Sequence, residues 1–312
     1  MGQAESVPGN PALHATEKAP NLKASRRGVL SPAELPGDFL LLAEALRPTG
    51  VLVTPHSQEY EVTRTWQAWN YQSAGLPSGI VIATTATDVK STVQYAAERR
   101  LDLCIAGSRT SSHCMKDNSL VLDLSRMNQC SVDVGRKMVT VQPGTRWGDV
   151  DLACREHSLA TTGSMDPNSS VIGSALHGGH GWLERVFGLV ADNVLSAEIV
   201  LADGTTVLSN KTINQDLFWG IRGGGGNFGI VVSMTLQLFD LPNRGKLYGF
   251  LVQHEVLPGN KSRQNLLERY FEHAVDAADP LMLCITLHGQ GPVREVIHPF
   301  NTSLAVTMVE YT

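Results

Sequence analysis

The residues of this chain whose types and spacing could do chemistry are concentrated between positions 159 and 229. The centre of this stretch, residues 163–183, is dominated by glycine, serine and other small side chains. Each glycine loses extra backbone entropy on folding and offers no side chain to pack, so this centre is a poor candidate for a core helix or an ordinary strand. Backbone this open suits the close approach of a ligand. We therefore predict one large ligand that lies along several loops.

A second loop of small residues follows a predicted strand at residues 102–106. Its sequence is Gly107-Ser108-Arg109-Thr110-Ser111-Ser112-His113, which supplies consecutive backbone N–H groups and several hydroxyls. Consecutive amides in a concave turn bind anions, so this loop is a candidate cradle for a diphosphate.

Three familiar motifs are excluded by their context. Gly224, Gly226 and Gly229 have the spacing of the dinucleotide-binding fingerprint, but that motif follows a strand and opens a helix. Here residues 214–222 are predicted to be helical and residues 230–236 to be a strand, which excludes a Rossmann site. His177 and His180 have no acidic or cysteine partner nearby in the sequence, so no metal site is predicted. The sequence also contains no Gly-x-Ser-x-Gly elbow of a serine hydrolase.

Composition narrows the class of protein further. The chain has 312 residues, 42% of them hydrophobic, and a formal net charge of -5, which allows a sizeable core and argues against a nucleic-acid partner. Its five cysteines are scattered and without a Cys-x-x-Cys pair, which predicts reduced thiols and a cytoplasmic location. No apolar run reaches the roughly 20 residues needed to cross a membrane. Without a secretory signal, the sequons at Asn210, Asn260 and Asn301 are expected to stay unmodified.

The N-terminus carries one candidate targeting signal. Residues 1–6 match the pattern for myristoylation of Gly2, which predicts a weak membrane contact. The alternative is a disordered tail that begins with Met-Gly by chance. Basic side chains that could add to a membrane contact are Lys18, Lys23, Arg26 and Arg27.

The remaining pattern predicts an α+β fold. A helix is predicted from about residue 31 to residue 46, and Thr85 and Asp88 have capping-box spacing between a strand at 79–83 and a second helix. Residues 131–142 are predicted to form a hairpin, and Thr145 to cap a further helix. Strands and helices alternate without a strict repeat of parallel units, which favours α+β over a doubly wound sheet.

Several segments resemble, in collinear order, the PCMH-type FAD-binding domain. They are most similar to the fungal berberine-bridge-like FAD-linked oxidases of the vanillyl-alcohol oxidase superfamily. The resemblance extends from about residue 49 to residue 238. It rests on Ile105-Ala106-Gly107-Ser108-Arg109, Leu122-Asp123-Leu124-Ser125-Arg126-Met127, Gly144-Thr145-Arg146-Trp147, Gly178-Gly179-His180-Gly181, Gly188-Leu189-Val190-Ala191-Asp192-Asn193 and Asp216-Leu217-Phe218-Trp219-Gly220-Ile221-Arg222-Gly223-Gly224-Gly225-Gly226-Asn227-Phe228-Gly229.

The resemblance implies an FAD held between two α+β subdomains in residues 31–242, after a disordered tail at 1–30 and before a partial antiparallel-sheet substrate domain at 243–312. Residues 106–111 would hold the pyrophosphate, and residues 163–181 would line the isoalloxazine and the diphosphate. The implied reaction is hydride transfer from a small organic substrate to the flavin, which dioxygen reoxidises. The cofactor-binding residues implied are Ala106, Gly107, Ser108, Arg109, Thr110, Ser111, Gly163, Ser164, Asp166, Ser169, Ser170, Gly173, Gly178, Gly179, His180, Gly181, Asp192, Asn193, Val194 and Ile230.

Some positions depart from the family pattern. Thr110 stands where members with a covalent flavin have a histidine, and Asp166 stands where a second link would use a cysteine. Neither side chain can form those bonds, so the FAD is predicted to be non-covalent. Side chains also replace several family glycines, and each would cost about 1 kcal/mol or more where φ > 0 is required, which predicts a narrowed pocket. The replaced positions are Ser108, Ser164, Ser170, Ile172 and His177.

The family's C-terminal return and its usual base have no counterpart in this sequence, so a truncated substrate domain is predicted and no catalytic base is assigned. Two other accounts stay open, a diverged non-catalytic flavin-fold protein and a mis-spliced gene model. The loop replacements favour the non-catalytic account, whereas the intact segment 216–229 favours the enzyme. For single residues, Asp192 and Asn193 could simply shape turns, and Trp182 and Trp219 are predicted to lie in the core.

Overall fold

The computed structural model describes residues 37–66, 68–70, 74–241, 248–255, 268, 281–289 and 302–310. The predicted tail at 1–30, with its myristoylation pattern, lies outside these residues. So does most of the helix predicted after residue 262.

The first subdomain is built on a four-stranded sheet. Two of its strands, β2 and β4, are buried along their whole length, and β4 pairs in parallel with both β2 and β3. The sheet order is β1-β2-β4-β3, with β1 antiparallel at the edge. The elements are α1 (Gly37–Ala45), β1 (Val51–Val53), α2 (Tyr60–Thr65), β2 (Gly79–Ile82), α3 (Ala86–Arg99), β3 (Leu103–Ala106) and β4 (Leu120–Asp123).

The predicted capping box at the start of α3 is confirmed. The hydroxyl of Thr85 accepts from the backbone N–H of Asp88, and the Asp88 carboxylate accepts from the backbone N–H of Thr85. Two of the donors left free at a helix N-terminus are thereby satisfied. At the other end, Arg100 adopts a left-handed conformation with φ 54° and turns the chain toward β3.

The second subdomain is a five-stranded antiparallel sheet in the order β5-β6-β10-β8-β9, covered by helices. The hairpin predicted at residues 131–142 is confirmed as β5 and β6. The elements are β5 (Cys130–Asp133), β6 (Met138–Val141), α4 (Trp147–Arg155), β7 (Leu159–Ala160), α5 (Val171–Leu176), α6 (Glu184–Phe187), β8 (Val194–Val200), β9 (Thr206–Asn210), α7 (Gln215–Ile221), β10 (Ile230–Gln237) and β11 (Phe239–Asp240).

The order of elements around the glycine-rich segment 223–229 confirms that it is no dinucleotide fingerprint. Helix α7 precedes it and strand β10 follows it, the reverse of the order that the fingerprint needs. The third sheet contains β12 (Tyr248–Glu255), β13 (Leu281–Gly289) and β14 (Thr302–Glu310). These three strands are antiparallel in the order β12-β14-β13.

The two subdomains share apolar contacts along β8 and β10. The core of the five-stranded sheet surrounds the fully buried Trp147, whereas Val200, Ile230 and Val232 pack into the core that α1 and α3 cover. Both sides of strand β10 are therefore used in packing, which fixes the position of the two sheets relative to each other.

Two predictions about this region are wrong. Residues 171–176 form helix α5, although the surrounding stretch was a poor candidate for a core helix on composition. Val171, Ile172 and Ala175 recur on one helical face and are buried, and Ser170 caps the helix. Trp219 on α7 is 75% exposed instead of lying in the core, whereas its neighbour Phe218 is 4% exposed and takes the buried position.

Candidate functional site

The loop after β3 begins at the carboxyl end of two parallel strands. Ala106 lies beside Asp123 across the β3–β4 ladder, and the backbone N–H of Leu124 donates to the Ala106 carbonyl at 2.9 Å. Gly107 then passes close to the second subdomain, since a Cβ on Gly107 would be 3.6 Å from the Ser170 hydroxyl and 3.7 Å from the Pro143 carbonyl. The structure thus brings the loop 107–111 to the start of α5.

The side chain of Arg109 turns inward from this loop. Its guanidinium pairs with the Asp123 carboxylate and also donates to the backbone carbonyls of Thr63 and Trp66. The Arg109 side chain is 1% exposed, so the resemblance-based role of Arg109 as a cofactor contact can rest only on its backbone. Thr110 and Ser111, which follow it, are exposed.

The segment 164–173 is shaped by hydroxyl and carboxylate caps. Ser170 Oγ accepts from the N–H of Gly173 at 3.1 Å and donates to the Pro143 carbonyl at 3.4 Å. Ser164 Oγ donates to Ser169 Oγ at 3.3 Å, and the Asp166 carboxylate accepts from the N–H of Asn168 at 2.9 Å. These serines satisfy local donors and set the turn that leads into α5.

Three glycines allow the backbones of the second subdomain to meet. A Cβ on Gly163 would be 2.8 Å from the ring of Trp147, and one on Gly181 would be 1.6 Å from the Gly163 carbonyl oxygen. Gly179 has φ +69°, and its Cβ would be 2.7 Å from Val190. Each of these approaches excludes every side chain: Gly163 and Gly179 make room for the side chains of Trp147 and Val190, and Gly181 packs backbone against backbone.

Other glycines face open space. Gly178 has φ +91°, and no atom lies within 4 Å of a Cβ built on it. The same holds for Gly226 and for Gly223, which has φ +115°. These three positions present bare backbone at the surface of the site loops. A flat or elongated ligand could lie against such backbone without meeting side chains.

The pair Asp192 and Asn193 shapes a turn. The Asn193 amide is 4% exposed and donates to the carbonyls of Phe187 and Leu189 at 3.1 and 2.9 Å. Asp192 accepts from the N–H of Leu189 at 2.9 Å, next to Gly188 with φ +76°. Both side chains are therefore committed to the turn before β8, and Val194 is the buried first residue of that strand.

The two histidines, His177 and His180, contact different residues. His177 Nδ1 is 2.9 Å from the Gly173 carbonyl, and its Nε2 lies near Gly225. His180 is exposed, with Nδ1 4.0 Å from the Glu184 carboxylate, which accepts from the N–H of Gly181. Among the residues that the structure describes, no group of three or more His, Cys, Asp or Glu side chains could hold a metal ion.

The predicted strain at replaced glycines is wrong. Ser170 is a helix cap with φ -68°, Ile172 lies within α5, and His177 has φ -113°. Ser108 and Ser164 are likewise absent from the residues with positive φ, whereas Arg109 has φ 58°. In the loop 107–111 the left-handed position is occupied by Arg109, which the sequence analysis does not indicate.

Residues that the sequence analysis did not single out also shape the site. Asp123 and Pro143 contact the loop and α5, and Trp147 lies beneath Gly163, with its indole N–H donating to Ser174 Oγ at 3.1 Å. The Cys114 thiol donates to the Ser111 carbonyl at 2.9 Å. Burial raises the pKa of the Cys114 thiol, while the nearby Arg109 guanidinium opposes this rise. The residue therefore stays a neutral thiol at physiological pH.

Four cysteines whose side chains the structure describes have free thiols. Cys104 and Cys154 are buried, and Cys114 and Cys130 are half-buried. Within the described part of the chain, no helix has both the length and the apolar character needed to cross a bilayer.

Comparison with known proteins gives one consistent result. Residues 77–209 match the family model described as FAD binding domain. The chain is 32% identical over 212 residues to (R)-6-hydroxynicotine oxidase of Paenarthrobacter nicotinovorans, covering 67% of this chain and 46% of that protein. It is 36% identical over 203 residues to the FAD-linked oxidoreductase pgmH of Aspergillus terreus, covering 64% of this chain and 41% of that protein.

The fold also matches a solved structure. BBE-like 1 from Physcomitrella patens superposes with a TM-score of 0.70 at 24% identity, covering 86% of this chain and 56% of that one. At this identity the likeness concerns the fold alone, and it confirms the predicted α+β architecture. The chain spans about half the length of the curated relatives it matches.

Proposed function

We propose that this chain, whose residues 77–209 match an FAD binding domain and which is similar to FAD-linked oxidoreductases, oxidises a small organic substrate with non-covalently bound FAD and dioxygen as the final acceptor. The observation that carries this proposal is the set of bare glycine backbones at Gly107 and Gly178. A Cβ would reach no closer than 3.6 Å to another atom at the first and meets no atom within 4 Å at the second. At Gly178 no side chain stands in the way of a large planar cofactor, and at Gly107 the nearest side chain is that of Ser170.

The residues present fit FAD in a second respect. The loop 107–111 leaves the ends of parallel strands with small residues, and its exposed Thr110 and Ser111 offer hydroxyls and amides to a diphosphate. We assign the diphosphate to this loop and the ring system to the segment 163–181, where the backbone of Gly178 is open. The bound cofactor would supply the redox chemistry, accepting a hydride from an alcohol, amine or activated C–H group.

The contribution of the protein is to hold and orient. Ser170 joins the start of α5 to Pro143, and both of these residues lie beside Gly107 of the loop 107–111. Trp147 and Gly163 fix the floor of the second loop. Thr110 and Asp166 stand in place of the histidine and the cysteine that form the family's covalent links to the flavin, which supports a dissociable cofactor.

An absorbance spectrum of the purified chain tests the proposal. It is recorded between about 300 and 600 nm, the range in which bound oxidised flavin absorbs. The sample is then precipitated with acid, and the supernatant and the pellet are measured separately. We expect a flavin spectrum that passes wholly into the supernatant. Colour retained in the pellet would contradict non-covalent binding.

If the purified protein is folded but colourless, titration with FAD gives the complementary measurement. A ligand that binds the native state raises the melting temperature, so FAD is expected to raise it and riboflavin, which lacks the diphosphate, to raise it less. Folded protein that responds to neither would sink the oxidoreductase proposal. Peroxide release in a substrate screen then separates an active oxidase from a non-catalytic flavin-binding protein.

A further inference from the structure

We propose that Arg109 is the positioning residue of the cofactor loop 107–111, and that its buried guanidinium holds this loop in the conformation that receives the diphosphate. This inference rests on the function proposed above. It concerns a residue whose side chain points away from the ligand and acts through the backbone that carries it.

Three segments of the chain meet at the Arg109 guanidinium. Nη2 pairs with the carboxylate of Asp123 at the end of β4. Nη1 donates to the carbonyls of Thr63 and Trp66 at the end of α2, the second at 3.0 Å. The guanidinium also lies 5.8 Å from the centre of the Trp66 ring. A single side chain thus ties the loop to a strand and to a helix.

The backbone of Arg109 adds a fourth connection. Its carbonyl accepts from the N–H of Trp69 at 3.1 Å, so the residue is held from both its backbone and its side chain. Asp123 is in turn fixed by the N–H of Ser125, which donates to Oδ1 at 2.8 Å. The side chains of Arg109 and Asp123 are 1% and 3% exposed, which shields the pair from solvent and from salt.

The conformation of Arg109 explains why such strong contacts are needed. Arginine at φ 58° occupies the left-handed region that favours glycine, so the backbone of this loop is not at its local minimum. The loop keeps this conformation because the surrounding contacts determine it. Nε of Arg109 is buried without a hydrogen-bond partner among the described residues, so the hydrogen bonds of this side chain described here are made by its two Nη groups.

A loop held in advance binds its ligand with a smaller loss of conformational entropy. Thr110 and Ser111 directly follow Arg109 and carry the exposed amides and hydroxyls assigned to the diphosphate. Loss of the guanidinium contacts should therefore weaken FAD binding even in molecules that remain folded. Lysine cannot replace arginine here, because one ammonium group cannot reproduce the planar fork that reaches the carboxylate and the carbonyls together.

The test compares Arg109→Lys with Arg64→Lys as a matched control. Arg64 lies on α2, the helix whose end Arg109 contacts. Its side chain is 12% exposed and donates to the carbonyls of Ala74 and Gly75. Among the described residues its side chain makes no hydrogen bond to the loop 107–111, and only its backbone carbonyl, which the substitution keeps, accepts from Arg109 Nη1 at 3.5 Å. Both variants lose a multidentate arginine, so both should lower the melting temperature.

Two measurements are made well below the melting temperatures, amide hydrogen exchange of residues 107–114 without cofactor and the FAD dissociation constant from flavin fluorescence. For Arg109→Lys we expect faster exchange in the loop and a dissociation constant raised about ten-fold or more, whereas Arg64→Lys leaves both unchanged. Asp123→Asn, which removes one charge and keeps the shape of the side chain, serves as a second variant. It should likewise speed up amide exchange in the loop and raise the FAD dissociation constant.

The outcomes separate the two proposals. If the wild-type chain binds FAD and Arg109→Lys binds it equally well, the positioning role is wrong and the proposed function stands. If loop exchange is unchanged in both Arg109→Lys and Asp123→Asn, the positioning role is also wrong. If the wild-type chain itself binds no FAD, the proposed function fails and the positioning role fails with it.

Discussion

A Cβ atom on Gly181 would lie 1.6 Å from the carbonyl oxygen of Gly163, so the two backbones touch where the ends of the site segment 163–181 meet. The contact closes this segment into a loop over Trp147. It also means that alanine at position 181 cannot be accommodated by a side-chain rotation, since the obstacle is backbone.

Gly181→Ala is therefore expected to destabilise the protein by about 3 kcal/mol, the upper end for overpacking. The measurement is the urea midpoint of unfolding. Gly226→Ala is the control, because a Cβ at Gly226 meets no atom within 4 Å and the residue has no positive φ. Equal stability of the two variants would show that the loops do not meet as described.

Gly107→Ala separates stability from cofactor binding. A Cβ there makes only ordinary contacts of 3.6 to 3.9 Å, so the stability should change by no more than about 0.5 kcal/mol. If FAD lies against this backbone, the added methyl should raise its dissociation constant about ten-fold, equivalent to about 1.4 kcal/mol. Gly135→Ala in the β5–β6 turn is the control and should bind FAD like the wild type. Unaltered FAD affinity in Gly107→Ala would move the cofactor away from Gly107.

The Asn193 amide is expected to matter through the turn that it holds. Asn193→Ala leaves the carbonyls of Phe187 and Leu189 without their donor in a buried site, at a cost of about 2 to 3 kcal/mol. Asp192→Ala removes one exposed hydrogen bond from the same turn and should cost about 1 kcal/mol or less. Thermal unfolding of both variants shows which one loses more stability. A larger loss of stability in Asp192→Ala than in Asn193→Ala would contradict the prediction.

Cys154 is expected to make the protein sensitive to alkaline pH. Burial raises the pKa of its thiol from 9.0 to about 12, and the neighbouring Cys130 and Asp151 act in the same direction. The folded state thus keeps a proton that the unfolded state releases above pH 9. The contribution of this thiol to the free energy of unfolding is fully present below pH 9. Above pH 9 it decreases by at most about 1.4 kcal/mol per pH unit.

The check is the urea midpoint between about pH 8 and pH 10.5, a range that starts below the unfolded pKa of cysteine. Cys154→Ala should be less stable than the wild type at the lower pH because it leaves a cavity, but its midpoint should fall less as the pH rises. Parallel pH dependence in the two proteins would exclude Cys154 as the titrating group.

Local sequence signals predicted most of the fold. The capping box of Thr85 and Asp88, the alternating strand β10 and the helix before it all follow from patterns of a few residues. The FAD-binding domain was recognisable because its segments occur in collinear order. These features depend on neighbours in the chain, which a single sequence displays directly.

The misjudged residues depend on distant contacts instead. Val171, Ile172 and Ala175 form a short helix because the core of the five-stranded sheet buries them, which outweighs the glycine content around them. Arg109 adopts a glycine-like conformation because Asp123 and the end of α2 hold its guanidinium. Neither Asp123 nor α2 is near Arg109 in sequence, so no local pattern could indicate the arrangement.

The order β5-β6-β10-β8-β9 has a consequence for synthesis. Strand β10 lies between β6 and β8 and joins them, with Val141 and Ala197 both paired to Met234. During translation, residues 142–193 leave the ribosome before the strand that will support them has been made, because long-range pairing must wait for the later partner. The glycine-rich loops therefore remain open to proteases and chaperones until Ile230–Gln237 has emerged.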